Sequence, residues 1–313
     1  MAASAATYRK FLRPFTLVPP AVGFLCWGLC AAGAAPATAL DAPVWLPLLL
    51  GAFLAASLNI ASNSINQIYD LEIDRVNKPE RALPAGELSM ASAWSIAVGA
   101  YAVALLLAWL VQPPHADAAT RARHETFWVV LAGALATYVY SAPPLRTKRF
   151  TFLSNLTIAL PRGALLIVAG WSASKSVLAL EPWFIAAVFG VYILGAATTK
   201  DFADLEGDRR GGCRTLPVRF GVGPAARMIA PFLCLPFLAL PVGAQAGILS
   251  GPTTALTLLG LGLSAYGAYI AYLILRRPEE LATESNHVSW KHMYLLMVVG
   301  QVGFAALYLL GSR

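Results

Sequence analysis

Charge is scarce in this chain. Asp, Glu, Lys and Arg make up 12% of its 313 residues, about half the share of a soluble domain. That shortage excludes a solvated globule and a disordered chain, both of which need a charged surface. Cysteine is scarcer still. Cys26, Cys30, Cys213 and Cys234 are the only four and form no CxxC pair, which argues against a disulfide framework and a thiolate zinc site. The four histidines, His115, His124, His287 and His292, lack HExxH-type spacing. What the chain has in abundance is apolar residues, at 58%, with a mean hydropathy of +0.64. These figures predict an all-α, polytopic membrane protein.

A span needs about 20 apolar residues to cross about 30 Å of hydrocarbon. Nine such runs are expected, near 14–34, 44–65, 90–112, 126–142, 153–172, 182–200, 228–248, 253–275 and 291–311. The run at 126–142 is short. No cleavable signal peptide is expected, because the apolar run after Arg9, Lys10 and Arg13 is too long for a signal core.

Net charge is +7, and the membrane surface explains it better than nucleic acid. With the N-terminus in the cytoplasm, 18 of the 23 Lys and Arg fall on the cytoplasmic face. Arg121, Arg123, Lys175 and Arg313 fall outside, and Arg162 lies within a span. That asymmetry predicts N inside and C outside, in the cytoplasmic membrane if the source is bacterial. Most acids, including Glu279, Glu280 and Glu284, share the inner face. Orientation does not require them, so they need another explanation.

Two segments supply it. In Asn66-Gln-Ile-Tyr-Asp70-Leu-Glu-Ile-Asp74 the polar residues recur every four positions. At about 100° per residue they share one helix face. Asn59 and Asn63 extend the stripe into the span, where polar groups belong on a bundle interior or a wet cavity. In Lys200-Asp201-Phe-Ala-Asp204-Leu-Glu-Gly-Asp208-Arg209 the acids are spaced three and four, again on one face. Both segments lie where a span ends, beside the negative end of the helix dipole. Carboxylates there repel the dipole and one another, so a cation should join them. Oxygen donors without His or Cys select a hard cation such as Mg²⁺, which shares its remaining positions with phosphate oxygens. Solvated interfacial charge would explain one acidic pair. It explains poorly two one-faced clusters, each with Arg and Lys nearby.

The segments also resemble each other. Asp74-Arg75 followed by Arg81-Ala-Leu-Pro84 is similar to Asp208-Arg209 followed by Arg214-Thr-Leu-Pro217. This suggests one domain with two weakly related halves, about 44–172 and 182–311, facing one site.

Asn66-x3-Asp70-x3-Asp74, with Arg75-Val-Asn77-Lys78-Pro79 and Pro84-x-Gly86 after it, resembles the first aspartate-rich motif of UbiA-type intramembrane prenyltransferases. Lys200-Asp201-x2-Asp204-x-Glu206-Gly207-Asp208-Arg209, with Thr215-Leu-Pro-x-Arg219-x-Gly221, resembles the second. Tyr140-Ser-x-Pro143-Pro144-Leu-Arg146-x-Lys148 resembles the family's basic loop between helices four and five. The resemblance implies nine helices around a central cavity. It implies Mg²⁺ held by both acidic motifs, gripping an isoprenyl diphosphate whose allylic carbon passes to an acceptor. The wording Asn66-Gln67-Ile68-Tyr69-Asp70 and Arg162-Gly163 is closest to the homogentisate branch, implying an aromatic acceptor such as homogentisate or a hydroxybenzoate or quinone precursor. Arg81-x-Leu83-Pro84-x-Gly86 leans toward the chlorophyll-synthase and lipid-ether branches, which keeps a chlorophyllide-type or glycerol-phosphate acceptor open.

The metal ligands expected are Asn66, Asp70, Asp74, Asp201, Asp204 and Asp208, with Asp70, Asp74, Asp204 and Asp208 essential to catalysis. Arg75, Tyr140, Arg146, Lys148, Lys200 and Arg209 are the candidates for diphosphate contact. Arg162 is a different case. A charge inside a span costs about 2.5–3.5 kcal/mol on insertion scales, so it should face the cavity and meet an acceptor or the diphosphate. His287, His292, Glu279 and Glu280 read as a solvated loop. A secondary transporter of two repeats would also explain the spans, but its site should lie near the midplane between broken helices. Here the carboxylates gather at one interface.

Overall fold

A computed structural model describes residues 4–283 and 287–311. Glu284 and Arg313, used above for sidedness, lie outside the described residues. Helix α1 (Ala5–Leu12) starts at Ser4, whose hydroxyl accepts from the Thr7 amide at 3.1 Å. Arg13 stops it in a left-handed conformation, φ +53°, and Pro14 cannot continue an α-helical ladder. The chain re-enters a helix as α2 (Val18–Gly33). Then follow α3 (Ala42–Tyr69), α4 (Leu71–Asn77), α5 (Met90–Leu110), α6 (Glu125–Ser141), α7 (Thr151–Ser172), α8 (Leu180–Ala203), α9 (Leu205–Arg210), α10 (Val222–Gln245), α11 (Thr253–Leu275) and α12 (Val288–Gly311).

Eight segments are long and apolar enough to cross a membrane: Ala5–Gly33, α3, α5, α7, α8, α10, α11 and α12. The ninth expected span is α6. Its 17 residues rise only about 25 Å, short of the hydrocarbon thickness. The sequence count of nine therefore becomes eight full spans and one short helix.

Packing runs around a ring: α2 on α3, α3 on α5, then α6, α7, α8, α10, α11 and α12, which returns to α2. The most extensive contact across it is between α2 and the C-terminal part of α7. Two glycines permit that approach. A Cβ on Gly28 would sit 3.0 Å from the Gly170 carbonyl, and one on Gly170 would sit 2.7 Å from the Trp27 Cβ. Around this crossing, Trp27 meets Phe189 at 5.3 Å and Phe304 at 5.4 Å between ring centres. Phe24, Tyr192, Phe237 and Tyr308 complete a buried aromatic plug. Tyr308 carries the plug to the bundle end away from both acidic segments, where its hydroxyl donates to Glu181 at 2.5 Å. The other end stays open and polar.

Both acidic segments are built alike. Helix α3 breaks at Asp70 (φ −100°, ψ 13°) and resumes as α4. Helix α8 breaks at Asp204 (φ −96°, ψ 9°) and resumes as α9. Each Asp ends one helix and starts the next. The short helices α4 and α9 then pack against each other across the open end.

Candidate active site

Asn77, the last residue of α4, joins the two segments. Its amide nitrogen donates to the Asp204 carbonyl at 3.3 Å, and its amide oxygen accepts from the Gly207 amide at 3.0 Å. Gly207 has to be small here, because a Cβ would fall 2.2 Å from the Asn77 side chain. The bridge fixes the spacing between the carboxylate sets.

In the first set, Asp70 is the hub. It accepts from Lys148 Nζ at 2.5 Å, Asn66 Nδ2 at 2.7 Å and Arg146 Nη2 at 3.2 Å. Asp70 and Lys148 are 6% and 5% exposed, so this is a buried pair. Arg146 also donates to the Tyr69 carbonyl at 2.9 Å from a left-handed backbone, φ +39°. One helical turn on, Asp74 pairs with Arg81 at 2.5 Å. Burial raises the Asp74 carboxyl above the usual range, against the pull of Arg81 and Lys78.

In the second set, Asp204 pairs with Lys78 at 2.5 Å. Burial opposes its charge, but Lys200 and Lys78 outweigh burial and hold the carboxyl below the usual range. Burial, assisted by neighbouring Lys200, lowers Lys78 from the usual lysine range. Asp208 is pushed up to about 6 by burial, despite Lys148 and Lys200. Asp201 and Asp208 are buried. Neither has an ion pair among the described residues.

These side chains line one cavity of about 400 Å³, counted out to its mouth. Asn66, Asp70, Asp74, Lys78, Arg81, Tyr140, Lys148, Lys200, Asp201, Asp204, Asp208 and Thr215 form its wall. The donor set suits a hard cation: five carboxylates, with no sulfur or imidazole. Among the described residues Asp201 and Asp208 have no ion pair to displace. The Thr215 hydroxyl is buried without a hydrogen-bond partner, although it lines the cavity. Buried polar atoms are nearly always satisfied, so this orphan is a place for a ligand oxygen. Among the described residues no three carboxylates converge into a ready cage. Mg²⁺ does not need one, since it takes one or two protein carboxylates and completes its shell with phosphate and water. The residues therefore fit Mg²⁺ bound together with a phosphorylated ligand.

All six residues expected at the metal, together with Tyr140, Lys148 and Lys200, line this cavity. Tyr140 lines the cavity within electrostatic reach of Asp201, Asp70 and Asp208. Arg146 reaches the site through Asp70. Arg75 and Arg209 do not reach it. Arg75 is exposed and pairs with Glu72 at 2.7 Å, and Arg209 is also exposed. Each follows a cavity aspartate by one residue, and consecutive helical residues point about 100° apart. Asn59 and Asn63 hold the N-terminal break: Asn59 donates to the Thr16 carbonyl at 2.9 Å and Asn63 to the Thr16 hydroxyl at 3.1 Å. His287 is not solvated but 2% exposed, with Nδ1 2.8 Å from the Ser289 hydroxyl. Arg162 sits in a π-helical turn of α7, Leu160–Leu165, outside the cavity wall just described.

Lys78, Arg81 and Thr215 line the cavity and Asn77 bridges the two segments, although none of the four is among the site residues expected from sequence. Lys78 and Arg81 continue the spacing of Asn66, Asp70 and Asp74, but they lie beyond the end of α4. A turn, not helical periodicity, brings them back.

Three comparisons bear on this geometry. A family profile described as "UbiA prenyltransferase family" matches residues 21–297. Chlorophyll synthase of Oryza sativa subsp. japonica is 30% identical over 266 residues, covering 80% of this chain and 64% of the relative. The chain spans between half and two thirds of the length of the chlorophyll synthases it matches. Digeranylgeranylglyceryl phosphate synthase of Thermococcus kodakarensis is 27% identical, covering 93% of this chain and 94% of the relative. The fold matches a solved UbiA homolog from Archaeoglobus fulgidus bound to DMAPP and Mg²⁺, with TM-score 0.69 at 21% identity, covering 96% of this chain and 99% of that one.

Proposed function

The chain belongs to the UbiA prenyltransferase family, and on that premise we propose that it transfers an isoprenyl group from a prenyl diphosphate to an acceptor, using Mg²⁺. The observation that carries this reading is the cavity itself. Five aspartates from two helix breaks, four cations and an orphaned hydroxyl share one wall. A transporter site at the midplane does not need that arrangement.

Asn66, Asp70 and Asp74 on one side, and Asp201, Asp204 and Asp208 on the other, would hold the metal. Bound there with the donor, Mg²⁺ neutralises charge that develops on the diphosphate as it leaves. Asp70, Asp74 and Asp204, which pair with Lys148, Arg81 and Lys78 here, would supply oxygens to the metal and leave those cations, with Lys200, for the phosphate. Thr215 donates its free hydroxyl to the same group. The C1–O bond breaks with its electron pair on the diphosphate oxygen, and fixed positive charge stabilises that oxygen most in the transition state. The acceptor's nucleophilic atom attacks the allylic carbon and then loses its proton to an oxygen of the cavity.

An aromatic acceptor such as homogentisate or a hydroxybenzoate is favoured by Asn66-Gln67-Ile68-Tyr69-Asp70 and by Arg162-Gly163. A chlorophyllide-type or glycerol-phosphate acceptor is the second reading, favoured by the two relatives above. The bias of Lys and Arg supports placing the N-terminus and both motifs on the cytoplasmic face. The test is to incubate membranes holding the protein with labelled geranylgeranyl diphosphate, an acceptor panel and Mg²⁺. Prenylated product that vanishes in EDTA is expected. No product with any donor and acceptor, or full turnover in EDTA, overturns the reading.

A further inference from the structure

The first candidate span is longer than a bilayer needs. Ala5–Gly33 has 29 residues, about 43 Å of helix at 1.5 Å per residue, against about 30 Å of hydrocarbon. Helix α2 and the turn before it take up most of that crossing. Helix α1 is surplus to it and belongs at the depth of the lipid headgroups.

Helix α1 has two faces. Thr7 and Phe11 are buried, and Phe11 packs with Ile65, Ile68, Ala82, Leu83 and Leu88. Ala6, Arg9, Lys10 and Arg13 recur at the i, i+3, i+4, i+7 spacing of a single face. With Pro14 and Phe15 they line an open groove. It shares no residue with the wall of the aspartate cavity.

The groove wall carries three cations and no acid. Glu87 reaches it from outside and pairs with Lys10 at 2.6 Å. Arg9 and Arg13 form no ion pair or side-chain hydrogen bond among the described residues. Arg13 stands over the Phe15 ring at 5.8 Å. Asp74 is within its electrostatic reach, but Asp74 is paired with Arg81. The helix dipole favours cations at this end of α1, yet it takes up none of their N–H donors. At headgroup depth the abundant acceptors are phosphate oxygens, which guanidinium bonds in a fork. Apolar surface adjoins the cations: Phe15 is 71% exposed and Val18 59%. A phosphate without an apolar tail would leave that surface uncovered.

The groove is fixed by the protein alone. Arg13 is left-handed. The Thr16 hydroxyl donates to the Arg13 carbonyl at 2.9 Å, and Asn59 holds the Thr16 carbonyl. The Gln67 amide donates to the Phe11 carbonyl at 3.1 Å.

We propose that this groove seats an anionic phospholipid of the surrounding bilayer, with its phosphate on Arg9, Lys10 and Arg13 and its acyl chains along Phe15 and Val18. The lipid is a partner, not a substrate. It has a route to the chemistry. Through Phe11 and Lys10, α1 packs on the segment 82–88, which directly follows Arg81, the residue that pairs with Asp74 in the aspartate cavity. A lipid that holds α1 in place therefore steadies the loop that carries Arg81. That effect on turnover rests on the prenyl-transfer reading; the binding does not.

The test titrates dioleoyl phosphatidylglycerol into the delipidated full chain in neutral detergent micelles and follows the unfolding temperature by tryptophan fluorescence. A saturable rise is expected, with none from dioleoyl phosphatidylcholine or inorganic phosphate. A basic residue beside an anionic headgroup is worth roughly fivefold in affinity. Arg9→Gln should weaken binding by about that factor, and Arg9→Gln with Arg13→Gln roughly twenty-five-fold. Arg227→Gln with Arg276→Gln removes the same charge from two exposed sites elsewhere and should change affinity less than about twofold. Glu87→Gln frees Lys10 from its acid and should tighten binding, which a purely structural Lys10–Glu87 pair would not do. Arg9 is exposed and unpaired, so Arg9→Gln keeps the fold and the test stays decisive even if the double variant misfolds. An absent or unsaturable shift overturns the proposal. Equal weakening by the two double variants reduces it to diffuse attraction. The same shift with inorganic phosphate makes the groove a free-phosphate site, and displacement of the phospholipid by geranylgeranyl diphosphate without Mg²⁺ gives it to the donor; both reject a phospholipid seat. In phosphatidylcholine vesicles, added phosphatidylglycerol should raise wild-type turnover and leave the Arg9, Arg13 variant unmoved; a wild type that binds the lipid without responding rejects the link to Arg81. If no product forms under any condition, the prenyl-transfer reading fails separately and the titration still decides.

Discussion

Replacing Asp70 separates structure from chemistry at this site. Asp70 is buried and accepts from Lys148, Asn66 and Arg146. In Asp70→Ala the Lys148 ammonium remains, 5% exposed and without its counter-charge. Breaking one side of a buried pair costs about 3–5 kcal/mol of stability. Losing a carboxylate proposed to hold the metal should also slow turnover roughly 10³-fold, about 4 kcal/mol of transition-state stabilisation. The two losses have different remedies. In the double variant Asp70→Ala, Lys148→Met the orphaned charge is gone, and replacing both members of a buried pair with apolar groups is often neutral. Stability should return to within about 1 kcal/mol of wild type, while turnover stays lost. Thermal unfolding in detergent, followed by tryptophan fluorescence, reads the first quantity. Product formation from labelled prenyl diphosphate reads the second. If the double variant regains turnover, Asp70 serves only to neutralise Lys148, and the metal assignment is wrong.

Other outcomes follow from the same geometry. Asp204→Ala should insert at normal levels yet lose most turnover, because it removes a cavity carboxylate and unpairs Lys78; near-normal activity at equal protein level counts against the second metal set. Asn77→Ala removes two hydrogen bonds between the acidic segments and should cost about 1–3 kcal/mol of stability with a matching loss of Mg²⁺ affinity, read by metal titration of unfolding temperature. At the opposite end, Glu181 accepts from the Ser250 amide at 2.6 Å and the Tyr308 hydroxyl at 2.5 Å. Glu181→Ala should therefore destabilise by about 3 kcal/mol and leave KM for both substrates unchanged; a shifted KM would mean that the plugged end communicates with the site.

Much of this was legible before any coordinates. A shortage of charge and nine apolar runs define the bundle, because burial in lipid leaves few alternatives to helices. The stripe from Asn66 to Asp74 and its partner from Asp201 to Asp208 both line the cavity, because four-residue spacing survives in real helices. The failures are physical too. Arg75 and Arg209 stand one residue past cavity aspartates, and one residue is enough to turn them outward. Lys78 and Arg81 lie past the end of α4, where helical spacing no longer says what meets what. Asn59 and Asn63 belong to the polar stripe, but their partner is Thr16, more than forty residues away in sequence. No local pattern announces that pairing.

The aromatic plug around Trp27, Phe189 and Phe304 has a kinetic consequence. With one end of the bundle packed solid, the proposed prenyl transfer would draw on a single leaflet. A lipid-borne donor in the other leaflet is invisible until it flips, however fast it diffuses in its own plane. In vesicles carrying the protein in one orientation, product should accumulate until the facing leaflet's share of donor is spent. It should then creep at the rate of transbilayer exchange. The enzyme would thus report on lipid asymmetry, and adding a scramblase should convert the two-phase progress curve into one.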